Sequence, residues 1–200
     1  MAKLYFRYGA MNCGKTALLL QAVHNYESRN MHVLILKPSK DTKGENTIVS
    51  RIGLSKKVDH LIKEDDDLYK YISKIQKEID CIFVDEAQFL KREQVDQLLL
   101  ITIDKNIPVI CYGLRSDFNT NGFEGSTRLL EIAHTIEELK TICKCGTKAT
   151  FNIRKVNDKY VFEGDQLAID GEQNVTYESL CPKCYYKIKN NYYKKSSKRK

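Results

Sequence analysis

The 200-residue sequence predicts an α/β fold, a parallel sheet with helices on both faces, followed by a small cysteine-bearing ribbon. Three observations carry this expectation. Short apolar runs alternate with stretches of helical spacing through the first 140 residues, the pattern of strand–helix–strand crossovers. The first apolar run ends in a glycine-bounded turn that opens a helix. From Cys143 the texture changes to a hairpin enclosed by two close pairs of cysteines.

Taken in order, Leu4-Tyr5-Phe6-Arg7-Tyr8 is a β-prone run, and an apolar helical stretch extends from Ala17 to about Arg29. His32 to Lys37 reads as a buried strand stopped by Pro38. Residues 39–63 are polar, contain Gly44 and Gly53, and read largely as loop. Leu68, Tyr71, Ile72, Ile75 and Ile79 keep helical spacing behind an acidic start, Glu64 to Asp67, which suits a helix N-terminus. Cys81 to Val84 is a continuous apolar strand running into Asp85-Glu86. Helical spacing returns at Val95, Leu98, Leu99 and Thr102, and Pro108 to Tyr112 makes the next strand. Residues 149–156 and 159–162 flank a turn at Asn157-Asp158 and read as a β-hairpin. The expected division is an α/β body over 1–142, a ribbon domain over 143–187 and a basic, disordered tail over 188–200.

The placement of charge narrows the function. The formal net charge is +7, yet the last sixteen residues hold seven cations and no acid, so residues 1–184 balance 26 cations against 26 acids. A nucleic-acid-binding body carries a basic face; this body is neutral, and the excess lies in a tail expected to be solvated and frayed. No apolar run approaches the ~20 residues that span a bilayer, and charge interrupts the N-terminus before a signal-peptide core can form. The expectation is a cytoplasmic chain with neither membrane nor nucleic acid as partner.

Gly9-Ala10-Met11-Asn12-Cys13-Gly14-Lys15-Thr16 matches G-x-x-x-x-G-K-[ST] between a strand and a helix, the context in which that pattern forms a phosphate-binding loop. The glycines let backbone N–H groups turn toward phosphate oxygens at the positive end of the helix. Lys15 supplies a mobile cation, and the Thr16 hydroxyl is a hard oxygen ligand for magnesium. Such a loop needs an acid at the end of a neighbouring strand, and Ile82-Phe83-Val84-Asp85-Glu86 provides it. Asp85 is the metal acid by position. Glu86 can orient water in an ATPase or take a proton from an alcohol in a kinase.

Of seven cysteines, Cys13, Cys81 and Cys111 are scattered. Cys143-x-Cys145 and Cys181-x-x-Cys184 instead form two knuckles around the hairpin, the way a closed, structural Cys₄ zinc site is built.

In this order and spacing, the P-loop, Asp85-Glu86-Ala87-Gln88-Phe89, Tyr112-Gly113-Leu114-Arg115-Ser116-Asp117-Phe118, Glu138 to Cys143 and the four-cysteine ribbon resemble the cytosolic type II thymidine kinases, their bacterial branch in particular, over residues 3–187. The resemblance implies a P-loop, RecA-like sheet and a zinc-ribbon lasso domain. It also implies transfer of the ATP γ-phosphate to the 5′-hydroxyl of thymidine. Gly9 to Thr16 and Gln88 would bind ATP, Asp85 its magnesium, and Glu86 would be the base. Phe89, Leu114, Phe118, Phe123 and Tyr177 would line the nucleoside pocket, with a lasso over about 167–177 closing on the base. The acidic and basic residues that approach the phosphates from the loop after the second strand would be among Asp41, Lys43 and Arg51. A homotetramer, feedback inhibition by thymidine triphosphate and weaker use of deoxyuridine are further implications. The chain departs from the family pattern at Cys13, at Arg115 and in a longer lasso. The rival from another class is a RecA-like DNA-dependent ATPase whose zinc ribbon and tail grip a strand; the neutral body argues against it.

Overall fold

The computed structural model describes residues 1–41, 44–166 and 174–197. Lys43, most of the expected lasso (167–173) and the last three residues lie outside them.

Strand β1 (Leu4–Gly9) leads through the glycine turn into α1 (Lys15–Glu27) and then β2 (Val33–Pro38). Two short strands, β3 (Thr47–Val49) and β4 (Ser55–Lys57), pair as a hairpin, and β5 (His60–Ile62) returns to the sheet. Helix α2 (Leu68–Ser73) precedes β6 (Cys81–Val84). A single 3₁₀ turn (Ala87–Phe89), α3 (Arg92–Asp104), β7 (Val109–Gly113), α4 (Glu124–Ile132) and β8 (Thr135–Leu139) complete the body. The sheet order is β5-β2-β6-β7-β1-β8, and every pairing is parallel.

The alternation of side chains explains the two layers of helix. On one face Leu34, Leu36, Ile82, Val84 and Phe6 pack with Leu68 of α2, Leu98 of α3 and Leu129 of α4. On the other, Val33, Ile35, Cys81, Phe83 and Tyr112 pack with Leu19 and Val23 of α1. Strands β2, β6 and β7 are buried at every position, so their sequences read as unbroken apolar runs. The carboxyl ends of β1, β2, β6 and β7 therefore sit side by side at one edge of the sheet, where ligands of open α/β folds bind.

Several expectations are corrected. Residues 39–63 hold three strands, too short for a periodic signal: within β3 only Ile48 is buried, and within β5 only Ile62. Helix α2 starts as expected, with Asp67 accepting the Lys70 N–H at 2.8 Å. It stops at Ser73, however, and Ile75 and Ile79 reach the same core from the following segment. Helix α4 and strand β8 were not anticipated; β8 is a largely exposed edge strand whose Glu137 and Glu138 hide its β character.

The ribbon begins with β9 (Thr141–Ile142) paired to β10 (Lys148–Ala149). A three-stranded sheet follows, with β11 (Phe151–Val156) between β12 (Lys159–Val161) and β13 (Val175–Leu180). Asn157 and Asp158 turn the hairpin with φ of 48° and 59°, the left-handed pair that a two-residue turn between twisted strands favours. Helix α5 (Pro182–Ser197) closes the domain. It overturns the expectation of a tail disordered from residue 188. Tyr185, Ile188 and Tyr192 form a helical stripe on the ribbon core, with the Tyr192 ring 5.2 Å from that of Phe162. The charge count concealed this amphipathic spacing.

Candidate active site

The loop Gly9 to Thr16 crosses the carboxyl edge of the sheet between β1 and α1. Gly14 caps α1 at φ 83°, a conformation that favours glycine, and the free N–H groups of the first helical turn follow it. Lys15 is buried, and its ammonium folds onto its own loop, 3.0 Å from the Ala10 carbonyl and 3.5 Å from that of Gly9. Cys13 lies beside it, its sulfur 3.6 Å from the Lys15 nitrogen. An anion in this loop would offer Lys15 a stronger, charge-assisted partner than two carbonyls.

The Thr16 hydroxyl donates to Asp85 Oδ2 at 3.2 Å. Asp85 stands at the end of β6, its N–H bonded to the Leu36 carbonyl of β2. Its other oxygen, Oδ1, is buried and has no hydrogen-bond partner among the described residues. Burial, reinforced by the neighbouring Glu86 carboxylate, pushes the Asp85 carboxyl up to about 7. A hydroxyl oxygen beside a buried, under-satisfied carboxylate is a donor set that fits magnesium.

Glu86 adopts a left-handed φ of 49° where the chain leaves β6 for the 3₁₀ turn. Gln88, 2% exposed, fixes it: the Gln88 amide donates to Glu86 Oε2 at 2.5 Å while its oxygen accepts the Leu114 N–H at 3.0 Å. Gly113 makes room for that bridge, since a Cβ there would fall 2.9 Å from the Gln88 oxygen. Gln88 thus ties the acid at the end of β6 to the loop leaving β7.

Beyond Glu86 the walls become apolar. Phe89 meets Phe123 edge-on at 5.7 Å, Phe118 is buried, and Leu114 and Tyr177 complete the lining. Polar and apolar ends belong to one cavity of about 410 Å³, which Met11, Asn12, Gly14, Lys15, Thr16, Asp85, Glu86 and Gln88 also line. Of the sequence-derived set, Gly9, Ala10 and Cys13 support the loop from outside the lining. Asp41, in an ion pair of 3.0 Å with buried Lys37, and Arg51 reach the cavity as well.

The sequence assigns no role to Asn152, Arg154 and Ser179, nor to Asp117 beyond its place in a motif, yet all four are buried polar residues. The signal was available for two of them. In Phe151 to Val156 the polar residues Asn152 and Arg154 alternate with Ile153, which packs in the ribbon core, so period 2 sends them to the opposite face.

The four cysteine sulfurs Cys143, Cys145, Cys181 and Cys184 lie within 4.8 Å of one another. The Cys145–Cys181 pair is 3.6 Å apart, near the ~3.8 Å edge of a tetrahedron with Zn–S of about 2.3 Å. Hydrogen bonds from Thr147 lower the Cys145 thiol to about 6, while the neighbouring Cys181 and Cys145 sulfurs push Cys184 up to about 12. Four thiolates cannot coexist here without a cation, and the cluster fits a structural zinc.

The thymidine kinase family model matches residues 2–185. The chain belongs to the thymidine kinase family. It is 49% identical over 187 residues to a thymidine kinase of Enterobacteria phage T4, covering 92% of this chain and 95% of the phage protein. It is 43% identical over 188 residues to a thymidine kinase of Streptococcus agalactiae and 42% to one of Streptococcus pyogenes, covering 93% of this chain and 98% of each relative. As a thymidine kinase it is a transferase that uses ATP to phosphorylate thymidine, and the DNA-dependent ATPase alternative gains no support. No helix among the described residues is long and apolar enough to cross a membrane.

Proposed function

We propose that this thymidine kinase carries out its reaction inside one continuous cavity, with ATP phosphates at the Gly9–Thr16 end and thymidine at the aromatic end. The observation that carries the assignment is Glu86, held by Gln88 at 2.5 Å at the boundary between the two ends. There a carboxylate can take the proton from the 5′-hydroxyl as that oxygen attacks the γ-phosphorus and the bond to the β-phosphate oxygen breaks. Lys15 shifts from its loop carbonyls to phosphate oxygens. Thr16 and Asp85 would hold magnesium, which when bound neutralises charge on the β- and γ-phosphates.

Phe89, Leu114, Phe118, Phe123 and Tyr177 enclose the base and sugar, excluding water from the transfer. Cys143, Cys145, Cys181 and Cys184 hold structural zinc, which fixes the ribbon from which Tyr177 projects. Because the two ends are continuous, one molecule of thymidine triphosphate can fill the nucleoside end and extend its phosphates toward the loop, which supports feedback inhibition. The family resemblance further supports a homotetramer, a cytoplasmic location and the absence of a nucleic-acid partner.

The testing experiment is turnover of radiolabelled ATP over a panel of nucleosides and DNA, with and without thymidine triphosphate. Turnover that requires thymidine and falls competitively with the triphosphate is the expected result. DNA-stimulated turnover without nucleoside would overturn it.

A further inference from the structure

Arg154 lies on β11, opposite Tyr177 in the β11–β13 register, and is 4% exposed. Its guanidinium carbon sits 3.7 Å from the Phe118 ring centroid and 5.5 Å from that of Tyr177. Arg154 Nε donates to the Tyr177 hydroxyl oxygen at 2.9 Å, and a terminal nitrogen donates to the Gln166 carbonyl at 3.1 Å. The Gln166 amide in turn donates to Asp117 Oδ2 at 3.2 Å, one residue before Phe118. The contacts close a ring from Arg154 through Gln166 and Asp117 to Phe118 and back.

A buried cation whose contacts here are two ring faces, a phenol and a peptide carbonyl is expensive to desolvate. An apolar side chain would fill the same space at lower cost. What only a guanidinium supplies is a flat plate that stacks on an aromatic face while its in-plane N–H groups reach two acceptors. We infer that Arg154 is a positioning residue for the nucleoside, fixing the Phe118 ring and the Tyr177 phenol relative to each other as two parts of the cavity lining. This rests on the nucleoside occupying the aromatic end of the cavity. A misplacement of about 1 Å in such supports costs on the order of 10²-fold in rate or binding.

The test compares Arg154→Met, which keeps volume, and Arg154→Lys, which keeps charge, with the unaltered enzyme. KM for thymidine, KM for ATP, kcat and zinc content are measured for each. The expected result is a rise of tenfold or more in thymidine KM for both variants, with ATP KM within about twofold and full zinc. Lysine fails to rescue because it cannot stack and bridge at once. An Arg154→Lys enzyme with unaltered thymidine KM overturns the inference, even if Arg154→Met fails to fold. Phe123→Ala separates this failure from failure of the site assignment. If Phe123→Ala raises thymidine KM and the Arg154 variants do not, Arg154 alone is wrong; if none of the three does, the nucleoside is not at this end.

Discussion

Asn152 joins the ribbon to the phosphate loop: its side-chain oxygen accepts the Met11 N–H at 2.7 Å. The same amide donates to the Ser116 carbonyl at 3.2 Å, and the Ser179 hydroxyl donates to the Met11 carbonyl. The ribbon thus grips the loop that would hold ATP and, through Ser116, the segment that leads into Phe118.

Removing the Asn152 side chain leaves a loop N–H without its partner, worth about 1–3 kcal/mol where buried. Asn152→Ala is expected to weaken ATP and thymidine together, by roughly 5- to 30-fold for 1–2 kcal/mol. Steady-state KM values for both substrates check this. A change confined to thymidine would mean that the Met11 contact does not matter to the loop.

Loss of the zinc that the four cysteines would hold is expected to reach both substrates, through Asn152 and Ser179 at the loop and through Tyr185 at the aromatic wall. Tyr185, next in sequence to Cys184, donates its hydroxyl to the Phe118 carbonyl at 2.7 Å, so the second knuckle braces the aromatic wall of the cavity directly. Cys145→Ser and Cys184→Ser are expected to lose about one zinc per chain and to weaken both thymidine and a non-hydrolysable ATP analogue. Metal analysis and calorimetry measure this; a metal-free protein with full activity would contradict it.

Glu86→Gln tests Glu86 as the proposed base. The amide oxygen of the new side chain can still accept from Gln88, so the pocket keeps its geometry while the proton acceptor is lost. kcat is expected to fall about 10²- to 10⁴-fold, with ATP KM little changed. Retention of more than half the rate would remove Glu86 from the mechanism.

How much of this was legible depended on the length scale of each signal. The phosphate loop, Asp85-Glu86 and the cysteine pairs announce themselves because few residue types can do their chemistry, and the buried strands because both faces need apolar side chains. The β3 and β5 strands gave no signal, since three residues with one buried side chain carry no period. Asn152 and Arg154 are ordinary polar residues until the strand has a face and that face has a neighbour. Helix α5 was lost among lysines, although Tyr185, Ile188 and Tyr192 already held helical spacing.

That helix makes its own prediction. Tyr192 packs against Phe162 in the ribbon core, and truncating a half-buried aromatic costs about 1–2 kcal/mol, less than the ~3–5 kcal/mol of a fully buried ring. Tyr192→Ala is therefore expected to lower Tm by roughly 2–8 °C for a chain of this size. Thermal denaturation measures it, and an unchanged Tm would detach the end of α5 from the ribbon.

The choice of nucleoside follows from the apolar end of the cavity. Thymine is planar and uncharged, with one N–H donor, two carbonyl acceptors and a methyl group, and Phe89, Leu114, Phe118 and Phe123 offer walls suited to its faces. A site that hydrogen-bonds the N3–H and carbonyl edge leaves its own groups unpaired against cytosine, which lacks that donor; such mismatches cost 10⁴–10⁵-fold. The methyl group is a weaker handle, because one carbon in an apolar pocket is worth only ~1–3 kcal/mol, or about 10- to 200-fold. Deoxyuridine is therefore expected to be a slower but genuine substrate, and deoxycytidine an almost inert one. Tyr177→Ala should raise KM for thymidine far more than KM for ATP, because the proposed place of Tyr177 is beside the nucleoside. The measurement is kcat/KM across thymidine, deoxyuridine, deoxycytidine and deoxyadenosine. Efficient phosphorylation of deoxycytidine would mean that the edge of the base is not read in this pocket at all.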